Sequence, residues 1–111
     1  MTTTTTEFCE SLVSNYPELK ELLAEHISDY DELLPNVFLG EITRYVLKDG
    51  KGRCQIVEYL NKSLSSGEPD VKNLIAVSFV ENLENREELE RAVEGVETAE
   101  IISEWDRQKS T

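Results

Sequence analysis

The apolar residues of the chain recur at intervals of three and four positions, in segments separated by proline and glycine. This spacing places them on one side of a helix and leaves the opposite side polar. Six or seven short helices are therefore predicted. Their apolar stripes begin at Phe8, Leu19, Phe38, Ile56, Val71, Leu89 and Ile101.

Residues typical of helix starts precede several of these segments. Thr4 with Glu7, and Asn85 with Glu88, have the spacing of a capping box, in which each side chain bonds the other residue's backbone N–H. Thr98 is a further candidate cap for the last helix. These signals place the predicted boundaries.

One segment differs from the others because it is apolar around almost its whole circumference. It lies near residues 70–83 and is predicted to be the central buried helix of an all-α fold. Trp105, which follows a pair of isoleucines, is predicted to cover the core, although a partner-binding role remains the alternative. The predicted architecture is thus a set of short helices around one buried segment.

A β-hairpin is the competing interpretation of residues 42–59. Residues 42–47 and 54–59 are rich in β-branched and aromatic residues, and they flank the turn sequence Asp49-Gly50-Lys51-Gly52. Their apolar residues do not alternate as strands require, whereas helical spacing holds on both sides of the turn. Two helices are favoured here, and residues 74–80 carry the same ambiguity at lower weight.

The length of 111 residues fits one domain, predicted to span residues 7–108 after a disordered threonine-rich tail at residues 1–6. The start of the chain has no basic and apolar leader, and no apolar run approaches the roughly 18 residues of a membrane span. Cys9 and Cys54 do not form a CxxC pair and suit reduced thiols, while a disulfide between them is the alternative that their spacing also permits. A cytoplasmic location is expected.

The net charge of −12 is concentrated in two parts of the chain. Residues 7–34 carry eight acids against one base, Lys20, and residues 81–106 carry ten acids against Arg86 and Arg91. Such a field repels nucleic acids and anionic membranes, and it attracts a basic protein. The alternative is that the charge serves only solubility.

Two sets of acids are candidates for contacting a basic partner. One lies at the end of the second predicted helix and the other along the last two helices, where helical spacing predicts a continuous face. The first set is Asp29, Asp31 and Glu32, and the second is Glu87, Glu90, Glu94, Glu97 and Glu100.

Catalytic and metal-binding patterns are largely excluded. His26 is the only histidine, which removes most nucleophile triads and all two-histidine metal sites, and it is predicted to be a packed or surface residue. Residues 29–32 superficially resemble a calcium loop but lack the glycine at position six. No catalytic residue, metal or cofactor is predicted.

Residues 34–44 (LPNVFLGEITR) and 74–83 (LIAVSFVENL) resemble a family of small, acidic, all-helical bacterial proteins of unknown function. A histidine often stands in that family where this chain has Asn36. Some members resemble immunity proteins, so the resemblance implies a non-catalytic inhibitor of a basic, nuclease-type toxin. A nucleic-acid mimic or acidic adapter is the alternative, and an enzyme with an unrecognised carboxylate site is a third hypothesis.

Overall fold

The computed structural model describes residues 4–110, and within that range every regular element is helical. The predicted all-α fold is confirmed. A 3-10 turn at Pro17–Leu19 precedes the second helix, and a π-helical turn at Ala76–Val80 continues the fifth. The helices are α1 (Thr5–Asn15), α2 (Lys20–Tyr30), α3 (Pro35–Leu47), α4 (Arg53–Ser66), α5 (Pro69–Ile75), α6 (Arg86–Val93) and α7 (Ala99–Lys109).

A capping box fixes the start of α1. Thr4 Oγ1 accepts a hydrogen bond from the Glu7 backbone N–H at 3.0 Å, and the Thr4 N–H donates to Glu7 Oε1 at 3.2 Å. The helix consequently begins at Thr5, inside the segment that the sequence predicts to be a disordered tail. The assignment of Thr5 and Thr6 to that tail is wrong, and its first three residues lie outside the described range.

The turn between α3 and α4 is the centre of the predicted hairpin, and the structure makes it a link between two helices. Asp49 (φ 55°) and Gly52 (φ 80°) take the left-handed conformation that ends α3 and starts α4. The Tyr45 hydroxyl donates to the Lys51 carbonyl at 2.6 Å and closes the turn. The helical interpretation of residues 42–59 is confirmed.

Helix α3 lies at the centre of the fold and packs against α1, α2, α4, α5, α6 and the π turn. Four of its apolar residues are completely buried. They are Phe38, Leu39, Ile42 and Val46. Their spacing of one, three and four positions gives one apolar face, and burial of that face stabilises the contacts with the surrounding helices.

The segment from α5 through the π turn is buried as predicted, with one correction. Val71, Leu74 and Phe79 face the core, whereas Val77 is 47% exposed. The sequence predicted apolar burial around almost the whole circumference of this segment, and the exposed side chain of Val77 contradicts the prediction at that position. The wider π turn is closed by a bond from the Glu81 N–H to the Ala76 carbonyl at 3.0 Å.

Side chains from other helices bond the carbonyl groups in and after this π turn. Thr43 Oγ1 on α3 donates to the Ser78 carbonyl at 3.3 Å, and Gln108 Nε2 on α7 donates to the Ala76 carbonyl at 3.0 Å. Trp105 Nε1 donates to the Leu83 carbonyl at 2.7 Å. Trp105 is only 7% exposed, so its predicted place over the core is confirmed.

The start of α7 is capped by a different residue from the predicted one. Thr98 occupies the N-cap position, but its hydroxyl is buried and makes no hydrogen bond within the described part of the chain. Asn61 Oδ1 on α4 instead accepts from the Ile101 N–H at 3.0 Å. A cap from a distant helix satisfies this N–H and also attaches α7 to α4.

Replacing Asn61 with alanine is expected to lower the free energy of unfolding by about 1–2 kcal/mol, the usual effect of removing a helix cap. The measurement is a urea denaturation curve. Gln55→Ala is the control, because Gln55 is an exposed polar residue of the same helix. Equal stabilities of the two variants would contradict the capping role of Asn61.

Candidate functional site

All eight acids that the sequence analysis singled out are exposed. The structure distributes them over five places: the last turn of α2 (Asp29), the loop after it (Asp31, Glu32), α6 and its end (Glu87, Glu90, Glu94), the following loop (Glu97) and the first turn of α7 (Glu100). Their exposure suits contact with a partner, and their arrangement decides which of them can act together.

The C-terminal acids do not form the single continuous face that helical spacing predicted. Glu87 is paired with Arg91 at 3.1 Å. Glu97 lines a groove beside α4, whereas Glu100 lines a different groove beside Lys72. The reason is the loop between α6 and α7, which turns the chain so that the acids of the two helices face different neighbours.

The acids of α2, by contrast, lie on one side of the helix. Glu21, Glu25 and Asp29 follow each other at four-residue spacing, and Glu18 precedes them in the 3-10 turn. We name these four residues the α2 stripe. Within residues 4–110, neither the α2 stripe nor the loop acids Asp31 and Glu32 have a basic group within 4 Å.

Two large apolar side chains of α2 are exposed. Ile27 is 39% exposed and Tyr30 is 44% exposed, and both lie in the last two turns of α2. The Tyr30 ring is 4.9 Å from the ring of His26, which holds it against the end of the helix. The end of α2 thus combines unpaired negative charge with an exposed aromatic ring.

A groove of about 300 Å³ separates α2 from α3. Its lining includes both acidic and basic side chains. The lining residues are Leu22, Glu25, His26 and Asp29 from α2 and Glu41, Arg44, Tyr45 and Lys48 from α3. Burial and, to a smaller extent, the negative charge of Glu18 raise the pKa of Tyr45. The Tyr45 phenol therefore stays neutral at physiological pH.

His26 is almost completely buried beside this groove and joins three elements. Its Nε2 accepts a hydrogen bond from the Leu34 N–H at 3.0 Å, and its Nδ1 lies 3.0 Å from Glu41 Oε1. Because an amide N–H can only donate, Nε2 must be unprotonated and Nδ1 carries the proton that bonds Glu41. The ring therefore links these elements by hydrogen bonds, and its basic nitrogen already accepts one of them.

These bonds limit the chemistry of the groove. A general base needs a nitrogen or oxygen free to take a substrate proton, and the Leu34 amide occupies the His26 nitrogen that has this ability. Cys9 is buried, and burial, with a smaller effect of Glu10, raises its pKa to about 12, so its thiol is not a nucleophile. The arrangement is suited to binding charged groups.

Sequence reasoning missed Glu41, Arg44 and Lys48. The sequence spacing of three and four residues puts them on one face of α3, and that pattern was available as a signal. It does not reveal that this face lies opposite α2, because the pairing of the two helices depends on the bonds that His26 makes to residues eight and fifteen positions away.

The described residues contain neither a metal-binding cluster nor a helix that could cross a membrane. Among residues 4–110, no group of three or more histidine, cysteine, aspartate or glutamate side chains is placed to hold a metal ion. Both cysteines are free thiols. None of the helices described has the length and apolar character that crossing a membrane requires.

Comparison with known proteins identifies a family for this chain. The family model described as "Domain of unknown function (DUF7674)" matches residues 9–109, which is most of the chain. No curated protein and no solved structure matches. The predicted membership in a family of unknown function is confirmed, and the chain belongs to the DUF7674 family.

Proposed function

We propose that this protein binds a basic protein partner through the α2 stripe and the loop acids Asp31 and Glu32, without catalysis. One observation carries the proposal: four of these acids follow one side of α2 and the turn before it, two lie in the loop directly after it, and none of the six has an ion pair within the described residues. Their charge is therefore available to a partner.

The acids of the C-terminal helices are less suitable because some are paired and the others are dispersed. Glu87, Glu104 and Asp106 are paired with Arg91, Arg107 and Arg86. The unpaired acids Glu90, Glu94, Glu97 and Glu100 are divided between α6, its end, the following loop and α7. A neutralised pair contributes little to the potential at a distance, whereas unpaired charges of one sign add up and accelerate the encounter with an oppositely charged protein. The end of α2 is the favoured contact surface for this reason.

The exposed ring of Tyr30 at the end of α2 strengthens the assignment. Tyrosine is enriched among the residues that carry most of the binding energy at protein interfaces, particularly where polar groups surround it. Tyr30 is such a residue, with Asp29 and Asp31 directly beside it in the chain. Charge would guide the partner, and burial of Tyr30 would slow its dissociation.

We propose further that the partner is a nuclease-type toxin and that the protein is its immunity protein. An enzyme that holds phosphates does so with arginine and lysine, and carboxylates at a protein surface form strong charge-assisted bonds with the same groups. An acidic surface that covers such a cleft blocks it without any chemistry. A nucleic-acid mimic acting on a host protein would use the same surface, so the partner's activity distinguishes the two.

The association rate of the partner is expected to fall by about tenfold or more between 0.1 M and 1 M salt, because the Debye length falls from about 10 Å to about 3 Å. The partner is captured on the immobilised protein from cells of the source organism. Its association is then measured by surface plasmon resonance across this salt range.

Two triple variants with the same change in net charge identify the surface. Replacing Asp29, Asp31 and Glu32 with lysine is expected to slow association far more than replacing Glu90, Glu94 and Glu97 with lysine. Stoichiometric inhibition of nuclease activity in the captured partner supports the immunity function. Equal effects of the two variants, together with a rate that is indifferent to salt, would remove the proposal, and capture of a housekeeping nucleic-acid binder would favour the mimic.

A further inference from the structure

The two walls of the groove between α2 and α3 carry opposite charges that do not meet. Glu25 and Asp29 lie on the α2 wall, and Arg44 and Lys48 lie on the α3 wall. No acid of the first wall comes within 4 Å of a base of the second. All four side chains belong to exposed residues and are accessible to a ligand that spans the groove.

Arg44 differs from the other arginines of the chain in this respect. The remaining four are each paired with a carboxylate, in the pairs Arg53 with Asp49, Arg86 with Asp106, Arg91 with Glu87 and Arg107 with Glu104. Within the described range Arg44 has no such partner, although acids are twice as frequent as bases in this chain. Its guanidinium is available for a bidentate contact with a carboxylate from outside.

The reason that Arg44 is unpaired lies in His26. Glu41 precedes Arg44 by three positions on α3, a spacing at which opposite charges commonly pair. His26 Nδ1 instead holds Glu41 Oε1 at 3.0 Å, and the Glu41 side chain is only 15% exposed. The buried histidine thus binds the carboxylate that lies three positions before the arginine, and both walls of the groove remain without ion pairs across it.

We infer that this groove receives a segment of the partner that carries one basic and one acidic side chain. The inference rests on the proposed function and specifies the partner's chemistry at the contact. The basic side chain bonds Glu25 and Asp29, and the acidic side chain bonds Arg44 and Lys48. A volume of about 300 Å³ accommodates the ends of side chains, while the backbone of the segment stays outside.

The opposite charges of the two walls determine the direction in which a partner segment lies in the groove. A surface of one sign attracts any basic protein in many orientations, whereas adjacent walls of opposite sign admit a two-signed segment in one direction only. The reversed segment would place its acidic group against Asp29 and its basic group against Arg44. Repulsion at both ends excludes that arrangement.

The double variant Arg44→Glu/Lys48→Glu distinguishes a two-signed groove from a plain acidic patch, because the two predict opposite changes in ligand affinity. This variant makes the surface more negative, so a patch that merely attracts cations would bind them more tightly. A two-signed groove loses half of its contacts and binds its ligand more weakly. Glu25→Lys/Asp29→Lys weakens binding in both cases and serves as the reference.

The probe is the dipeptide arginyl-glutamate with both ends blocked, compared with blocked arginine and blocked glutamate. Binding is followed by two-dimensional ¹H–¹⁵N NMR of the full chain. The Leu34 amide is the reporter, because its bond to His26 connects it to Glu41 in the groove. Far-UV circular dichroism checks that each variant keeps its helices.

We expect the dipeptide to move the Leu34 signal and to bind about tenfold more tightly than either single blocked amino acid, since each added charged contact is worth roughly that factor. Both double variants are expected to weaken dipeptide binding by about tenfold. Glu58→Lys/Lys62→Glu is the control, because this exposed pair of α4 does not line the groove and its exchange leaves the net charge unchanged. This control is expected to bind as the wild type does.

Three results would overturn the inference. They are equal binding of blocked arginine and the dipeptide, tighter binding by Arg44→Glu/Lys48→Glu, and no movement of the Leu34 signal with any probe. Movement of that signal with protein concentration alone would assign the groove to a second copy of the chain and would also overturn it. None of these results bears on the salt dependence of partner association, so the proposed function is tested separately.

Discussion

Replacing Phe79 with alanine is expected to lower the free energy of unfolding by about 3–5 kcal/mol, the range for emptying the site of a buried aromatic side chain. Phe79 is fully buried in the π turn, between α5, α3 and α7. The surrounding backbone is held in place by the bonds of Thr43 and Gln108 to carbonyls of the same turn. It cannot collapse easily into the space that the ring leaves.

The chain provides its own probe for this measurement. Trp105 is the only tryptophan and is buried against the segment that follows the π turn, so its fluorescence reports unfolding in urea. Val77→Ala is the control, because Val77 lies two residues away in the same turn and is largely exposed. The control is expected to lose less than about 1 kcal/mol, and an equally small loss for Phe79→Ala would refute the burial of Phe79.

Replacing His26 with alanine is expected to lower the free energy of unfolding by about 2–4 kcal/mol. The change removes a buried ring that packs 5.4 Å from Phe38, and it leaves the Leu34 N–H and the Glu41 carboxylate without their partner. Unsatisfied polar groups of this kind cost about 1–3 kcal/mol each when they are buried, and less at partly buried positions such as these.

A second variant separates the hydrogen bonds of His26 from its packing. Glutamine offers an oxygen that can accept from the Leu34 N–H and an amide that can donate to Glu41, so His26→Gln is expected to recover about half of the loss. Urea denaturation gives the stability of both variants. The same stability for glutamine and alanine at this position would show that packing, and not the two bonds, explains the effect.

Local sequence patterns predicted what depends on neighbouring residues. The capping box of Thr4 and Glu7 forms, and the Asn85 side chain accepts from the Glu88 N–H at 2.9 Å. The reciprocal bond to the Asn85 N–H is missing, because Glu88 Oε1 accepts from the Glu84 N–H at 2.8 Å. The preference for helices over a hairpin around Asp49 was correct, because the apolar spacing on both sides of the turn was helical. These features are determined within four positions along the chain.

Features that depend on distant residues were not predictable in this way. The π turn accepts hydrogen bonds from side chains of α3 and α7. The cap of α7 is Asn61, whose side-chain oxygen accepts a hydrogen bond from the Ile101 N–H, forty positions later in the chain. The groove likewise needs the pairing of α2 with α3 through His26. A propensity or a spacing describes one element at a time and contains no information about which elements become neighbours.

The connections of α7 have a consequence for how the protein unfolds. Bonds from Trp105, Gln108 and Asn61 link residues that are 22 to 40 positions apart, and each of them satisfies the backbone of another element. Separation of α7 would expose the end of the π turn, and loss of α4 would remove the cap of α7. The short helices therefore cannot melt independently, and the chain is expected to behave as one cooperative unit with no stable partly folded form.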